Sequence, residues 1–146
     1  MEFLRKHNRT INILLVVAII AVGIIVSLTR GSSPSGDYNY DKDTRTMTFT
    51  APDGYSLSFS LNNVTSVDFL ESFDPGTAVS GKTENGYTFG VWQNDSLGTF
   101  ELLKLTNVSS VVAVRTESGG VYVFNAESAD TTRAFYETIQ KELAAE

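Results

Sequence analysis

The sequence predicts a mainly β domain closed by one C-terminal helix and preceded by a single transmembrane helix. Three observations carry this reading. Thr10 to Thr29 is an uncharged run, rich in Ile, Val and Leu, between Arg9 and Arg30. From Tyr38 the period changes to two, with apolar and polar residues alternating through Leu61, and further strand-length apolar runs follow to Phe124. From Ser128 the apolar spacing changes to three and four.

A helix rising about 1.5 Å per residue needs about 20 apolar residues to cross the hydrocarbon core, and residues 10–29 have that length. Inside a bilayer the backbone must satisfy its own N–H and C=O groups, so the many Ile and Val residues do not argue for a strand. Arg5, Lys6, His7 and Arg9 precede the run, whereas only Arg30 follows it before Asp37, Asp41 and Asp43. The positive-inside bias therefore places residues 1–9 in the cytoplasm as a basic flank and residues 37–146 on the extracytoplasmic side of the cell membrane, as a single-pass protein. The competing reading is a cleaved signal peptide, whose apolar region is about 7–15 residues and ends at a small-x-small site. Here the run is longer, Ile25-Val26-Ser27 puts a bulky residue at the −3 position, and Gly31-Ser32-Ser33 is followed by Pro34. An uncleaved signal-anchor is expected. Residues 30–36 read as a flexible Gly/Ser/Pro linker that keeps the domain close to the bilayer.

Of the 146 residues, those from Asp37 onward suffice for one core. The formal net charge is −6; residues 1–36 carry four Lys/Arg against one Glu, which is +3, so residues 37–146 carry −9. An acidic surface is repelled by nucleic acid and by anionic headgroups, and neither is an expected partner. The absence of cysteine removes disulfides, thiolate metal sites and a cysteine nucleophile.

Each element of the domain has its own signal. Tyr38 and Tyr40, then Met47 and Phe49, alternate with polar residues around the turn Asp41 to Thr44, which predicts a hairpin. Ala51-Pro52-Asp53-Gly54 is turn chemistry. Tyr55, Leu57, Phe59 and Leu61 alternate with Ser56, Ser58, Ser60 and Asn62, a half-buried strand; Asn62-Asn63 interrupts it and Val64 to Phe69 resumes. Ser72 to Asn85 reads as irregular, punctuated by Asp74-Pro75-Gly76, Gly81 and then Gly86. Strands are expected at Tyr87–Trp92, Gly98–Leu105, Val111–Thr116 and Val121–Phe124. Ser128 is the expected N-cap of a helix with Asp130 in its first turn, and Thr132, Phe135, Tyr136, Ile139 and Leu143 form its apolar stripe.

The stretch Leu57-Ser58-Phe59-Ser60-Leu61-Asn62-Asn63-Val64-Thr65-Ser66-Val67 resembles the strand-turn-strand of bacterial pleckstrin-homology-like domains. Gly90, Gly98-Thr99-Phe100, Val111 to Thr116, Gly119-Gly120, Val121 to Phe124 and Asp130 to Ile139 resemble that family's glycine-punctuated strands and closing helix. The resemblance spans most of Thr46 to Leu143. It implies a strongly bent seven-stranded sheet, or partly open barrel, capped by a helix, in a membrane-anchored binding domain. Lipid-binding pleckstrin homology domains hold inositol phosphates with Lys and Arg around the first hairpin loop, since several phosphate charges need several charge-assisted donors. Here Lys42 and Arg45 are offset by Asp41 and Asp43, so phosphoinositide binding is not carried over.

No catalytic, cofactor or metal site is expected. His7, the single histidine, lies in the basic flank, so the domain has no imidazole for a Ser-His-Asp triad or a zinc site. Asp37-x-Asn39-x-Asp41 starts like a calcium loop, but Lys42 stands where Gly is needed and Thr48 where a bidentate Glu is needed. Trp92 is the single tryptophan and reads as core or core-edge packing, with a binding-rim role as the alternative. Asn8, Asn63, Asn94 and Asn107 head N-x-S/T triplets and read as loop-forming residues.

The expected function is non-enzymatic. The chain is a single-span membrane protein, embedded in the lipid bilayer through residues 10–29, that displays an interaction domain to a protein partner. The alternative is an accessory or scaffold subunit of a larger membrane complex recognised through its span. An extracytoplasmic hydrolase is a third class, but no carboxylate spacing singles out a general acid and base.

Overall fold

Alternation of apolar and hydroxyl side chains builds the first part of the domain. In the computed structural model, which describes residues 37–145, strands β1 (Asp37–Asp41), β2 (Thr46–Thr50) and β3 (Ser56–Ser60) form an antiparallel sheet in that order. The predicted span 10–29, its flank and its linker lie outside the described residues; among those described, no helix is long and apolar enough to cross a membrane. Met47, Phe49, Leu57 and Phe59 turn inward and are buried. Their hydroxyl neighbours face out and pair across the strands, Thr48 Oγ1 with Ser58 Oγ at 3.0 Å and Thr50 Oγ1 with Ser56 Oγ at 3.1 Å. The Asp41 carboxylate accepts from the backbone N–H of Asp43 at 2.9 Å and so ties down the first turn.

The run from Tyr55 does not continue as a strand to Leu61. It ends at Ser60, whose Oγ accepts from Asn62 N and caps a short 3-10 turn at Leu61–Asn63 before β4 (Val64–Leu70) begins. The second sheet holds β4, β5 (Thr77–Ala78), β6 (Lys82–Glu84), β7 (Tyr87–Asn94), β8 (Gly98–Leu105), β9 (Val111–Thr116) and β10 (Val121–Phe124). Its order is β4-β9-β10-β8-β7-β5, with β6 also on β7. The mainly β reading with one C-terminal helix holds; among the described residues the strands number ten and are shared between two sheets, seven in the larger. β5 and β6 fall within the stretch that alternation left irregular. They are strands because β7 pairs with them, Thr77 opposite Gln93 and Lys82 opposite Phe89.

Among the described residues all pairings are antiparallel except one: β10 runs parallel to β8. After β8 the chain steps over one strand position to β9, and β10 returns by a hairpin into the vacant position between them. Asn125, just past β10, secures this crossing. Its Oδ1 accepts from Leu105 N at 2.8 Å and its Nδ2 donates to Val108 O at 3.0 Å.

An aromatic core joins the sheets. Phe49 stacks on Phe124 with ring centroids 4.2 Å apart, Phe59 lies against Tyr122, and Tyr55 against Phe89. Helix α1 (Ala129–Ala144) closes the space beside them, with the Ser128 hydroxyl accepting from Thr131 N as its N-cap. Thr132, Phe135 and Ile139 are buried while Arg133, Glu137 and Lys141 are exposed, so the three-four spacing fixed the buried face. On the opposite face of the larger sheet Phe100, Leu102, Val111, Ala113, Val121 and Val123 form a second buried cluster, with Leu70, Phe73, Trp92 and Leu97 packed against it.

Candidate functional site

A cleft of about 880 Å³ lies at one end of the larger sheet. It lies between the segment leaving β4 and the tight β7–β8 turn, and its size falls in the range of ligand clefts. Leu70, Phe73 and Leu97 supply its apolar part, each half-buried against the second core cluster. Phe73 meets Phe100 edge-on, with centroids 5.6 Å apart. Polar groups supply the rest: Ser72, Asp74, Thr77, Gln93, Asn94, Asp95, Ser96 and Thr99.

Two side chains hold the two walls in place. Asp74 Oδ1 accepts from Gly76 N at 2.9 Å, closing a turn after which the chain enters β5. Asn94 donates through Nδ2 to Asp74 O at 2.9 Å and accepts through Oδ1 from Leu97 N at 2.8 Å, bridging both loops. The contact between walls is close enough to require glycine at Gly76. Its φ is +77°, and a Cβ there would fall 2.2 Å from Gln93 O.

The charges in the cleft are of one sign. Asp74 and Asp95 line it, and no Lys, Arg or His does so among the described residues. A second cavity, of about 40 Å³, lies among Tyr38, Phe49, Tyr87, Leu103 and Phe135. It has room for a few water molecules and no larger ligand.

Residues weighed at the sequence level are dispersed. Trp92 sits at the core edge, half-buried; its Nε1 donates to Phe89 O at 2.9 Å, and Gly81 packs against the ring. Asn39 stands in β1 opposite Thr48, and the Asp41 carboxylate is occupied by its own turn. In the first hairpin loop Arg45 reaches away, donating from Nη1 to Asn62 Oδ1 at 3.1 Å and from Nη2 to Glu142 O at 2.9 Å. Lys104 is buried in β8 and donates to Leu105 O at 3.0 Å; burial pushes its ammonium below the usual lysine range.

Sequence reasoning passed over the residues that shape the cleft. Asp74-Pro75-Gly76 and Asn94-Asp95-Ser96 were legible as turns, but 20 positions separate the Asn94–Asp74 bond and no local pattern encodes it. No family model, no curated protein and no solved structure matches this chain.

Proposed function

We propose that the protein is a non-enzymatic, single-span membrane protein whose extracytoplasmic domain, pleckstrin-homology-like in plan, binds a protein partner through the cleft between the β4–β5 segment and the β7–β8 turn. The observation that carries this reading is the cleft itself: an apolar floor, convergent polar groups and walls pinned by Asn94. Such a combination orients a ligand without chemistry. The single histidine lies outside the domain and cysteine is absent, which leaves the cleft without an imidazole base or a thiol nucleophile.

Engagement of Arg45 by the end of α1, and the two aspartates flanking Lys42, speak against a phosphoinositide at the first hairpin loop. The membrane placement rests on the uncharged run 10–29 and on the charges around it.

Two experiments test the reading. A photocrosslinking residue at Ser96, on the cleft, should give a discrete adduct in native membranes; the same residue at Ser58, on the hydroxyl face, should not. Adducts at neither site, or equally at both, would remove the cleft as the binding site. A reporter active only outside the cytoplasm and fused after Glu146 should be active. Silence from a stably expressed fusion would reverse the orientation.

A further inference from the structure

We infer that the cleft takes a basic peptide segment that also carries an apolar side chain, so that the partner docks through a Lys- or Arg-rich stretch. This deepens the proposed function and rests on the cleft being the binding site. Charge complementarity and shape together point to such a segment. Asp74 and Asp95 line the cleft without a cation among its described lining residues, and residues 37–146 carry −9 in total. The field of the domain therefore gathers cations and turns anions away. Beneath this acidic rim lies apolar surface from Leu70, Phe73 and Leu97, which a purely hydrophilic cation would leave uncovered.

The apolar floor points past a simple cation. A small amine or a metal ion would meet the carboxylates but leave about 880 Å³ largely unfilled. A peptide supplies both parts, an aromatic or aliphatic anchor on Phe73 and Leu97 and a lysine or arginine at the rim, where an amphipathic stem covers apolar surface while its charge stays in water. Asn94 and the turn at Gly76 pre-form the walls, so little ordering accompanies binding.

The single tryptophan provides the readout. Trp92 is followed in β7 by Gln93 and Asn94, both cleft residues, and packs on the same cluster as Leu97. The full chain in zwitterionic lipid nanodiscs is titrated with the capped peptide Lys-Phe-Lys-Phe-Lys while Trp92 emission is followed. A saturable change is expected, weakening as salt rises from 50 to 500 mM. The Asp74→Asn/Asp95→Asn pair should weaken binding about two- to thirtyfold, the range for two exposed charge pairs. Asn at position 74 keeps an oxygen for Gly76 N, so the fold is preserved, and an unchanged thermal melt checks this. Equal binding of Glu-Phe-Glu-Phe-Glu, unchanged affinity in the double variant, or the same response to a neutral oligosaccharide would overturn the inference. A Ser96 adduct obtained alongside such a result would leave the cleft as the binding site with a different ligand; absence of that adduct would remove the cleft altogether.

Discussion

Arg45 stands in the β1–β2 turn, yet its Nη2 donates to the backbone carbonyl oxygen of Glu142 near the C-terminal end of α1, at 2.9 Å and 97 positions away in sequence. The last carbonyls of a helix lack intrahelical donors and carry the negative end of its dipole, so a guanidinium is well placed there. The same group reaches Asn62 Oδ1, and Arg45 O accepts from Leu61 N at 2.8 Å. One side chain and its backbone thus join the first hairpin, the 3-10 turn and the helix.

Arg45 occupies this place with φ at +54°, in the left-handed region that favours glycine. Arg45→Ala keeps the unfavourable backbone and loses the guanidinium bonds, which should cost about 1–2 kcal/mol. Arg45→Gly loses the same bonds but relieves the backbone and should be about 1 kcal/mol more stable than the alanine variant. Thermal melting of the full chain in detergent compares them. An alanine variant as stable as wild type would show that the helix end does not depend on Arg45.

Phe135 is 3% exposed and meets Tyr38, Phe49 and Phe124 edge-on, with centroids 5.0, 5.6 and 6.2 Å away. Phe135→Ala should cost about 3–5 kcal/mol, a large part of the roughly 5–15 kcal/mol that holds a domain together. Glu137→Ala, on the exposed face, should change stability by less than about 0.5 kcal/mol. Equal melting temperatures would mean that α1 does not pack on the sheets.

Gly90 combines a φ of +96° with backbone contact: a Cβ there would lie 2.6 Å from Gly81 Cα. Gly90→Ala must therefore push the segment before β6 off β7, at about 2–4 kcal/mol for strain and displacement together. Gly54→Ala pays only the strain, because a Cβ at Gly54 meets nothing within 4 Å. Trp92 emission separates the two, since Gly81 covers that ring. A red shift is expected for Gly90→Ala alone, and its absence would place the local strain elsewhere.

Alkaline pH should destabilise the domain through its tyrosines. Burial, with Glu101 adding to it, pushes the Tyr55 hydroxyl up to about 12; burial and Asp53 do the same at Tyr87; Tyr38 is raised by burial and then by Tyr40 and Glu142. Unfolded tyrosine ionises near 10. The folded pKa values are the higher ones, so these groups add stability that is fully present below pH 10 and lost as pH rises from 10 through 12. Lys104 acts oppositely: its lowered pKa makes stability rise with pH up to the unfolded lysine value of about 10.4, above which it no longer offsets the tyrosine effect. Denaturant unfolding at pH 9.5 and pH 11.5 should show the loss, and a smaller loss in Tyr55→Phe. The same pH slope in both proteins would assign the effect to other groups.

Apolar runs between turn signals determined where β7 to β10 lie, and the period-two runs of β2 and β3 determined which of their side chains turn inward, because a strand alternates faces whatever its partner. The three-four spacing after Ser128 likewise determined the buried face of α1, and the charges around residues 10–29 set the expected membrane orientation. Alternation says nothing about neighbours, however. Only the tertiary structure decided that β10 enters between β9 and β8, parallel to the latter, since that choice depends on the closure of the segment after β8 and on Asn125 holding it. β5 and β6 became strands through the edge that β7 offers, with no apolar alternation of their own. The cleft arose in the same way: Phe73, Asp74, Asn94 and Leu97 sit in stretches that read as plain turns, and they meet because the β4–β5 segment is carried across the β7–β8 turn by long-range packing.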